Sequence, residues 1–294
     1  MTDPSAIQEN GDGLALLSFG AGDELVVAVH GITASAMSWP PVARALPPGW
    51  TMLAPDLRGR GASAQLPGPY GFVRHAEDVR ALVRARGRKV VLVGHSMGAW
   101  VSLLAATAEP GLFSRLILVD GGMPMPGPPP EVTVDQVLEA TLGPAIARLS
   151  QTFASEQAYL DFFRAHPALT DAWNDDIEAY VRYDLTGEPG TLRSRVAEAA
   201  VRQDGRDVLE MGAVFAQAWD ELRVPTLLMR APAGMFGQPP GLLPEDAVAD
   251  ARRRRPDIPV ETVTGANHYT IALVEKFAAE IARRVVDPSS WPTR

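Results

Sequence analysis

Few residues of this chain are placed to do chemistry. Gly94-His95-Ser96-Met97-Gly98 fits the spacing G-x-S-x-G and directly follows the apolar run Val90-Val91-Leu92-Val93. Where a strand turns straight into a helix, such a serine is forced into strained backbone geometry with its Oγ exposed. Gly94 and Gly98 are needed because a Cβ at either would strike neighbouring backbone. A helix starting at Met97 aims its first amides at developing negative charge, so the Met97 N–H is a natural oxyanion donor. The chemistry expected is attack by the Ser96 hydroxyl, which stays a weak nucleophile until a neighbouring base takes its proton.

There are five histidines to supply that base. His30 and His95 sit beside loop glycines and read as shaping those loops. His75 reads as solvated on the polar side of a helix, and His166, before Pro167, as a helix-end residue. His268 follows the last predicted strand and precedes the last predicted helix. That position puts it above the sheet edge, within reach of Ser96, and makes it the expected base. The chain has no cysteine, which removes thiolate nucleophiles, thiolate metal sites and disulfides together. The histidines are not at ligand spacing, so no metal is expected. No phosphate loop and no G-x-G-x-x-G follows the first strand, so no cofactor is expected either.

The elements that must position these residues can be read from periodicity. Short apolar runs at 25–29, 52–54, 90–93, 116–119, 226–229 and 260–263 each end in small or polar residues. Continuous rather than alternating apolar strands imply a sheet covered on both faces, hence a parallel one. Between them lie helical patterns: Phe72, Ala76, Val79 and Val83; the nearly all-apolar 97–108; and Ile271, Val274, Ala278, Ile281 and Val285. The alternation predicts an α/β fold with a doubly wound, mostly parallel sheet. The rhythm breaks after Gly122, where a proline-rich run at 124–130 leads into a long helical stretch without a clear strand. The expected organisation is a core in two parts, 1–122 and 223–294, with a helical cap at 123–222 inserted between strands.

These motifs together resemble the α/β-hydrolase family. Besides the Ser96 elbow, His30-Gly31 resembles the family's oxyanion loop, Asp56-Leu57-Arg58-Gly59-Arg60-Gly61-Ala62-Ser63 its D-x-R-G-x-G-x-S stretch, and Gly265-Ala266-Asn267-His268 the loop of the catalytic histidine. The resemblance implies Ile32 as the second oxyanion donor, with its side chain walling the pocket. It also implies a third, acidic member that orients the histidine and stabilises its imidazolium. In the common pattern this acid follows the strand before the last. Here that loop reads Arg230-Ala231-Pro232-Ala233-Gly234-Met235-Phe236-Gly237 and holds no carboxylate. Asp120, at the end of the preceding strand, is the expected acid, as in members that carry it one strand earlier. Asp246 is the alternative. Met123, Met125 and Phe236, on strand-end loops, are expected to line the substrate pocket. Asp56 and Arg58 read as stabilising their own loop.

Composition bounds the function. The chain has 294 residues, 46% of them apolar, and a formal net charge of -8. The acidic balance argues against a nucleic-acid surface. No apolar run approaches the roughly 18 residues a membrane helix needs. Met1 to Gly13 lacks a basic segment followed by an apolar one, which points to a cytoplasmic protein. The leading expectation is therefore a serine hydrolase acting on a small apolar carboxylic ester or lactone through an acyl-enzyme. Same-triad carbon–carbon bond hydrolases and cofactor-free haloperoxidase-like members form an alternative. A non-catalytic small-molecule binder of the same fold is another. Carboxylate-nucleophile members, the epoxide hydrolases and haloalkane dehalogenases, are set aside because the elbow carries Ser96.

Overall fold

The computed structural model describes residues 5–9, 13–125, 127 and 131–292. The expected apolar runs form β3 (Glu24–Val29), β4 (Trp50–Pro55), β5 (Val90–His95), β6 (Phe113–Val119), β9 (Thr226–Arg230) and β10 (Val260–Thr262). Two further strands precede them, β1 (Ser5–Glu9) and β2 (Ala15–Gly20), and a short antiparallel pair, β7 (Leu185–Thr186) and β8 (Arg193–Ser194), lies in the inserted region. The eight-stranded sheet runs β1-β2-β4-β3-β5-β6-β9-β10. Within this sheet, among the described residues, only the β1–β2 and β2–β4 pairings are antiparallel. Sequence reading missed β2 because a six-residue apolar run between two glycines has no periodicity that separates strand from helix. It missed β7 and β8 because two-residue strands have no period at all.

Alternation along the central strands divides the core into two layers. Val27, Val29, Leu92, Leu116, Leu118 and Leu228 face α2 (Phe72–Arg84), α3 (Met97–Ala108) and α9 (Glu245–Arg254). Val26, Ala28, Val91, Val93, Ile117, Val119, Leu227 and Met229 face the other way, toward α1 (Pro40–Arg44), α10 (Thr270–Leu273) and α11 (Glu275–Val286). Because side chains alternate across a strand, covering both faces requires apolar residues at every position. The central strand β5 is buried at all six positions.

The insertion between β6 and β9 contains α4 (Val134–Leu149), α5 (Glu156–Arg164), α6 (Asp175–Asp184), α7 (Glu198–Glu210) and α8 (Gly212–Glu221). Thr133 and Gln136 close a reciprocal capping box at the start of α4, which fixes where that helix begins. Leu138, Ile146, Leu149, Val196 and Val201 pack α4 against α7. The insertion does not behave as the single cap expected at 123–222. Phe215 of α8 sits edge-on to Phe72 at 5.4 Å, and Trp219 is fully buried in the layer that contains α3. Helix α8 therefore covers the sheet, and the roof over the strand ends is made by α4 to α7. Part of the proline-rich run, 126 and 128–130, lies outside the described residues. Among the described residues no helix is long and apolar enough to cross a membrane.

Candidate active site

The elbow forms as its glycines require. Ser96 has φ 55° and ψ -126°, in the left-handed region that costs a side-chain-bearing residue energy. Its N–H donates to Val119 O at 2.9 Å, so the neighbouring strand holds the turn. A Cβ on Gly98 would lie 2.2 Å from Val29 O, and one on Gly94 would lie 2.2 Å from Gly98 O. Only glycine lets α3 start this close to β3.

Ser96, His268 and Asp120 converge from three separate strand ends. His268 Nε2 stands 3.1 Å from Ser96 Oγ, and His268 Nδ1 stands 2.7 Å from Asp120 Oδ2. All three are buried, Asp120 completely. Asp120 also has a positive φ of 47°, the second such non-glycine residue among those described. Its N–H donates to Met229 O at 2.7 Å, and its Oδ1 accepts from Ala231 N at 3.0 Å. The loop that lacks an acid thus supplies an amide that orients the acid of the preceding strand. Asp246 is elsewhere: it lies in the first turn of α9, and its Oδ1 accepts from Ala247 N.

The remaining histidines divide by burial. Burial, then the nearby His268, pushes the His95 imidazole down to about 3. Neutral His95 lies 2.8 Å from His268 O through Nε2 and braces that backbone from below. Burial likewise pushes His30 down to about 3. His30 Nε2 accepts from Leu57 N at 3.0 Å, which leaves Nδ1–H to donate to Gly31 O at 2.8 Å. His30 therefore shapes its own loop, whereas His95 braces the loop of His268 rather than the elbow beside it. His75 does not match its reading. It is fully buried, with Nε2 3.1 Å from Asp204 Oδ2, because α7 covers the polar side of α2.

Asp204 belongs to a buried cluster under the cap. Arg60, fully buried, reaches Asp204 at 2.5 Å through Nη2 and donates through Nη1 to Arg58 O at 2.9 Å. Its Nε donates to Ile32 O at 2.9 Å. Burial alone would raise the Asp204 carboxyl, but Arg60 and His75 outweigh it and hold it below its usual range. Arg60 thus ties the peptide following Ile32 to the cap. Asp56 accepts from Ala36 N and Ala62 N, both at 2.8 Å, and from Tyr183 Oη at 2.6 Å. Arg58 pairs with Asp78 at 2.6 Å. Both tether their loop to its neighbours, Asp56 to Ala36 and to Tyr183 of the cap, Arg58 to α2.

A cavity of about 190 Å³ opens over Ser96. Its floor includes Gly31, Ile32, His95, Ser96 and His268, and its roof Arg148, Phe162, Phe163, His166 and Tyr180. Ile32 and Phe236 line it, as expected, with Phe236 half-exposed. Met123 and Met125 do not. Met123 is fully buried against the core, and its carbonyl accepts from Trp100 Nε1 at 2.8 Å. Met125 packs on the same layer. Both side chains pack into the layer that α8 also joins. Among the described residues no cluster of histidine and carboxylate side chains could hold a metal.

The family model described as "Alpha/beta hydrolase family" matches residues 26–284. The chain belongs to that family. Among curated proteins, this hydrolase is 29% identical to the 2-(acetamidomethylene)succinate hydrolase of Mesorhizobium japonicum, over 95% of its own length and 89% of that protein's. It is 30% identical to the N-formylmaleamate deformylase of Pseudomonas putida, over 89% of its length and 88% of that protein's. The crystal structure of E-2-(acetamidomethylene)succinate hydrolase superposes with a TM-score of 0.77 at 25% identity, covering 93% of this chain and 95% of that one. A hydrolase is the activity class that family and relatives support.

Sequence reasoning missed the residues that tie the cap to the loops of the site, Arg60, Asp204 and Tyr183, and the Arg148 and His166 side chains that line the cavity. Arg60 carries a signal in hindsight, since it lies inside the D-x-R-G-x-G-x-S stretch. The cap residues carry none, because which face of a cap helix looks down depends on its docking.

Proposed function

We propose that this protein hydrolyses a small acyl compound through an acyl-enzyme, with Ser96 as nucleophile, His268 as general base and then acid, and Asp120 as the group that orients His268. The hydrogen-bonded chain from Asp120 through His268 to Ser96, opening on the cavity, is the observation that carries this reading. In the first half-reaction His268 Nε2 takes the Ser96 proton as Oγ attacks the carbonyl carbon. The tetrahedral oxygen is received by the Met97 and Ile32 amides, neither of which donates in a turn or loop hydrogen bond among the described residues. His268 returns the proton to the leaving group as the acyl bond breaks. Water, deprotonated by the same nitrogen, then releases the acid and restores Ser96.

The bond cleaved is an acyl–nitrogen or acyl–carbon bond rather than a simple ester or lactone. The expected ester and lactone preference has no support among the relatives, whose names denote an acetamidomethylene compound and an N-formyl compound. The same-triad alternative, exemplified at the sequence level by carbon–carbon bond hydrolases, lies nearer to them. Fluorophosphonate labelling tests the nucleophile: wild type should be labelled and Ser96→Ala should not. A panel pairing N-acyl compounds, 1,3-diketones and matched esters tests the bond. Higher kcat/KM on the esters would overturn the bond assignment, and an unlabelled wild type without turnover would favour a binder.

A further inference from the structure

Among the described residues that line the cavity, Arg148 is the one Lys, Arg, Asp or Glu. It is 5% exposed, and a cation buried that deeply needs partners. Only one edge of its guanidinium has them. Nη1 donates to Tyr159 Oη at 2.8 Å and to Asp184 Oδ2 at 3.2 Å, and the group lies over the Phe163 ring at 5.1 Å. Nε and Nη2 have no hydrogen-bond partner among the described residues, yet neither is sealed in the protein. These two donors form the side-on fork of an arginine, the edge by which Arg58 holds the Asp78 carboxylate in this same chain at 2.6 and 3.1 Å. A fork of that shape fits a carboxylate bidentately.

The surroundings favour an anion. Among the described residues no Asp or Glu lines the cavity. Tyr180 and Tyr269, each with a hydroxyl that can donate, line it. His166 Nδ1 accepts from Ala168 N at 3.3 Å, which leaves Nε2 as the N–H. Burial, and then the positive field of Arg148, holds His166 below its usual range, so the ring is a neutral donor. Asp184 is already engaged by Tyr159, Ser194 and Arg148 and does not occupy the fork.

We infer that the Nε and Nη2 edge of Arg148, flanked by Tyr180, Tyr269 and His166, is a carboxylate-binding subsite that makes the substrate of this hydrolase a short acyl compound carrying a free carboxylate. The inference rests on the reading of Ser96 as nucleophile. With the acyl carbon at Ser96 on the floor, the carboxylate reaches the roof, and the cap selects the substrate by charge.

The test is inhibition of 4-nitrophenyl acetate hydrolysis by succinate and maleate against succinamide, their uncharged counterpart. Wild type should be inhibited competitively by the diacids and about 10- to 100-fold more weakly by the diamide, the range for losing a charge-assisted hydrogen-bond pair. Arg148→Gln should erase that difference, while Arg148→Lys keeps part of it. Equal inhibition by diacid and diamide, or unchanged diacid inhibition in a folded Arg148→Gln, overturns the subsite. If Arg148→Gln fails to fold because Asp184 is left unpaired, Arg148→Gln/Asp184→Asn removes both charges, and the wild-type contrast still decides. If wild type neither turns over the acetate nor is labelled by fluorophosphonate, the nucleophile assignment fails instead. Titration calorimetry of succinate into wild type then decides the subsite alone.

Discussion

Replacing Asp120 by Asn removes one charge from the site while keeping the volume of the side chain. Its effect can be worked out because both carboxylate oxygens have assigned partners. Oδ1 accepts from Ala231 N, and Oδ2 faces His268 Nδ1. An asparagine must keep its oxygen toward the Ala231 N–H, since the reverse orientation sets donor against donor. Its NH2 then points at His268 Nδ1, which has to become an acceptor. The imidazole proton moves to Nε2, the nitrogen that must receive the Ser96 proton. The imidazolium formed during attack also loses its counter-charge. At an effective dielectric of about 20, a unit pair about 4 Å apart is worth ~4 kcal/mol, or roughly a thousandfold in rate. The unproductive tautomer adds to that. The expected loss in kcat is about 10³- to 10⁴-fold, with KM changed little, whereas Asp246→Asn should stay within about twofold. Steady-state hydrolysis of 4-nitrophenyl acetate reads both, and thermal melts confirm that each variant is folded. If Asp120→Asn retains more than a tenth of wild-type kcat, or Asp246→Asn falls as far, the triad geometry is not the catalytic one.

Arg60→Met should lower kcat about 10- to 100-fold with little change in KM, because Arg60 Nε holds the Ile32 carbonyl and with it the backbone of a proposed oxyanion donor. It should also cost about 3–5 kcal/mol of stability by taking from the buried Asp204 its arginine counter-charge, with only His75 and the Gly71 N–H left on it. Urea unfolding checks that loss, and Arg60→Met/Asp204→Asn should recover part of the stability but not the rate. Gly98→Ala should destabilise by about 3 kcal/mol or more, since its Cβ meets Val29 O, while Gly111→Ala, with nothing within 4 Å, should stay within about 0.5 kcal/mol. His95 bears on pH. Its folded value of about 3 lies below its ordinary 6.5, so between those limits the unfolded chain binds a proton that the folded chain does not. The stability it contributes is present above pH 6.5 and is lost as pH falls toward 3. His95→Gln should therefore flatten the acid-side slope by about 1.4 kcal/mol per pH unit. Equal slopes in denaturant titrations at pH 4.5 and 6.5 would refute the assignment.

Much of this molecule is set by local order along the chain. The apolar runs fix six strands because a run buried on both faces leaves no other economical packing. The glycine pair around Ser96 specifies the elbow, since Gly94 and Gly98 are the residues whose Cβ would collide with backbone. The position of His268 after the last strand, and the empty loop at 231–237, were enough to direct attention to Asp120. What the sequence leaves open depends on docking. Whether His75 faces solvent or Asp204 was decided by α7 lying across α2. Whether Met123 lines the cavity was decided by its packing into the layer it shares with α3 and α8. That Arg148 presents one bare edge to the space above Ser96 follows only once α4, α5 and α6 are seated over the strand ends. Local pattern determines which residues share a strand or a helix face. Only tertiary packing decides what that face meets, because burial, pairing and charge compensation are properties of neighbours far away in sequence.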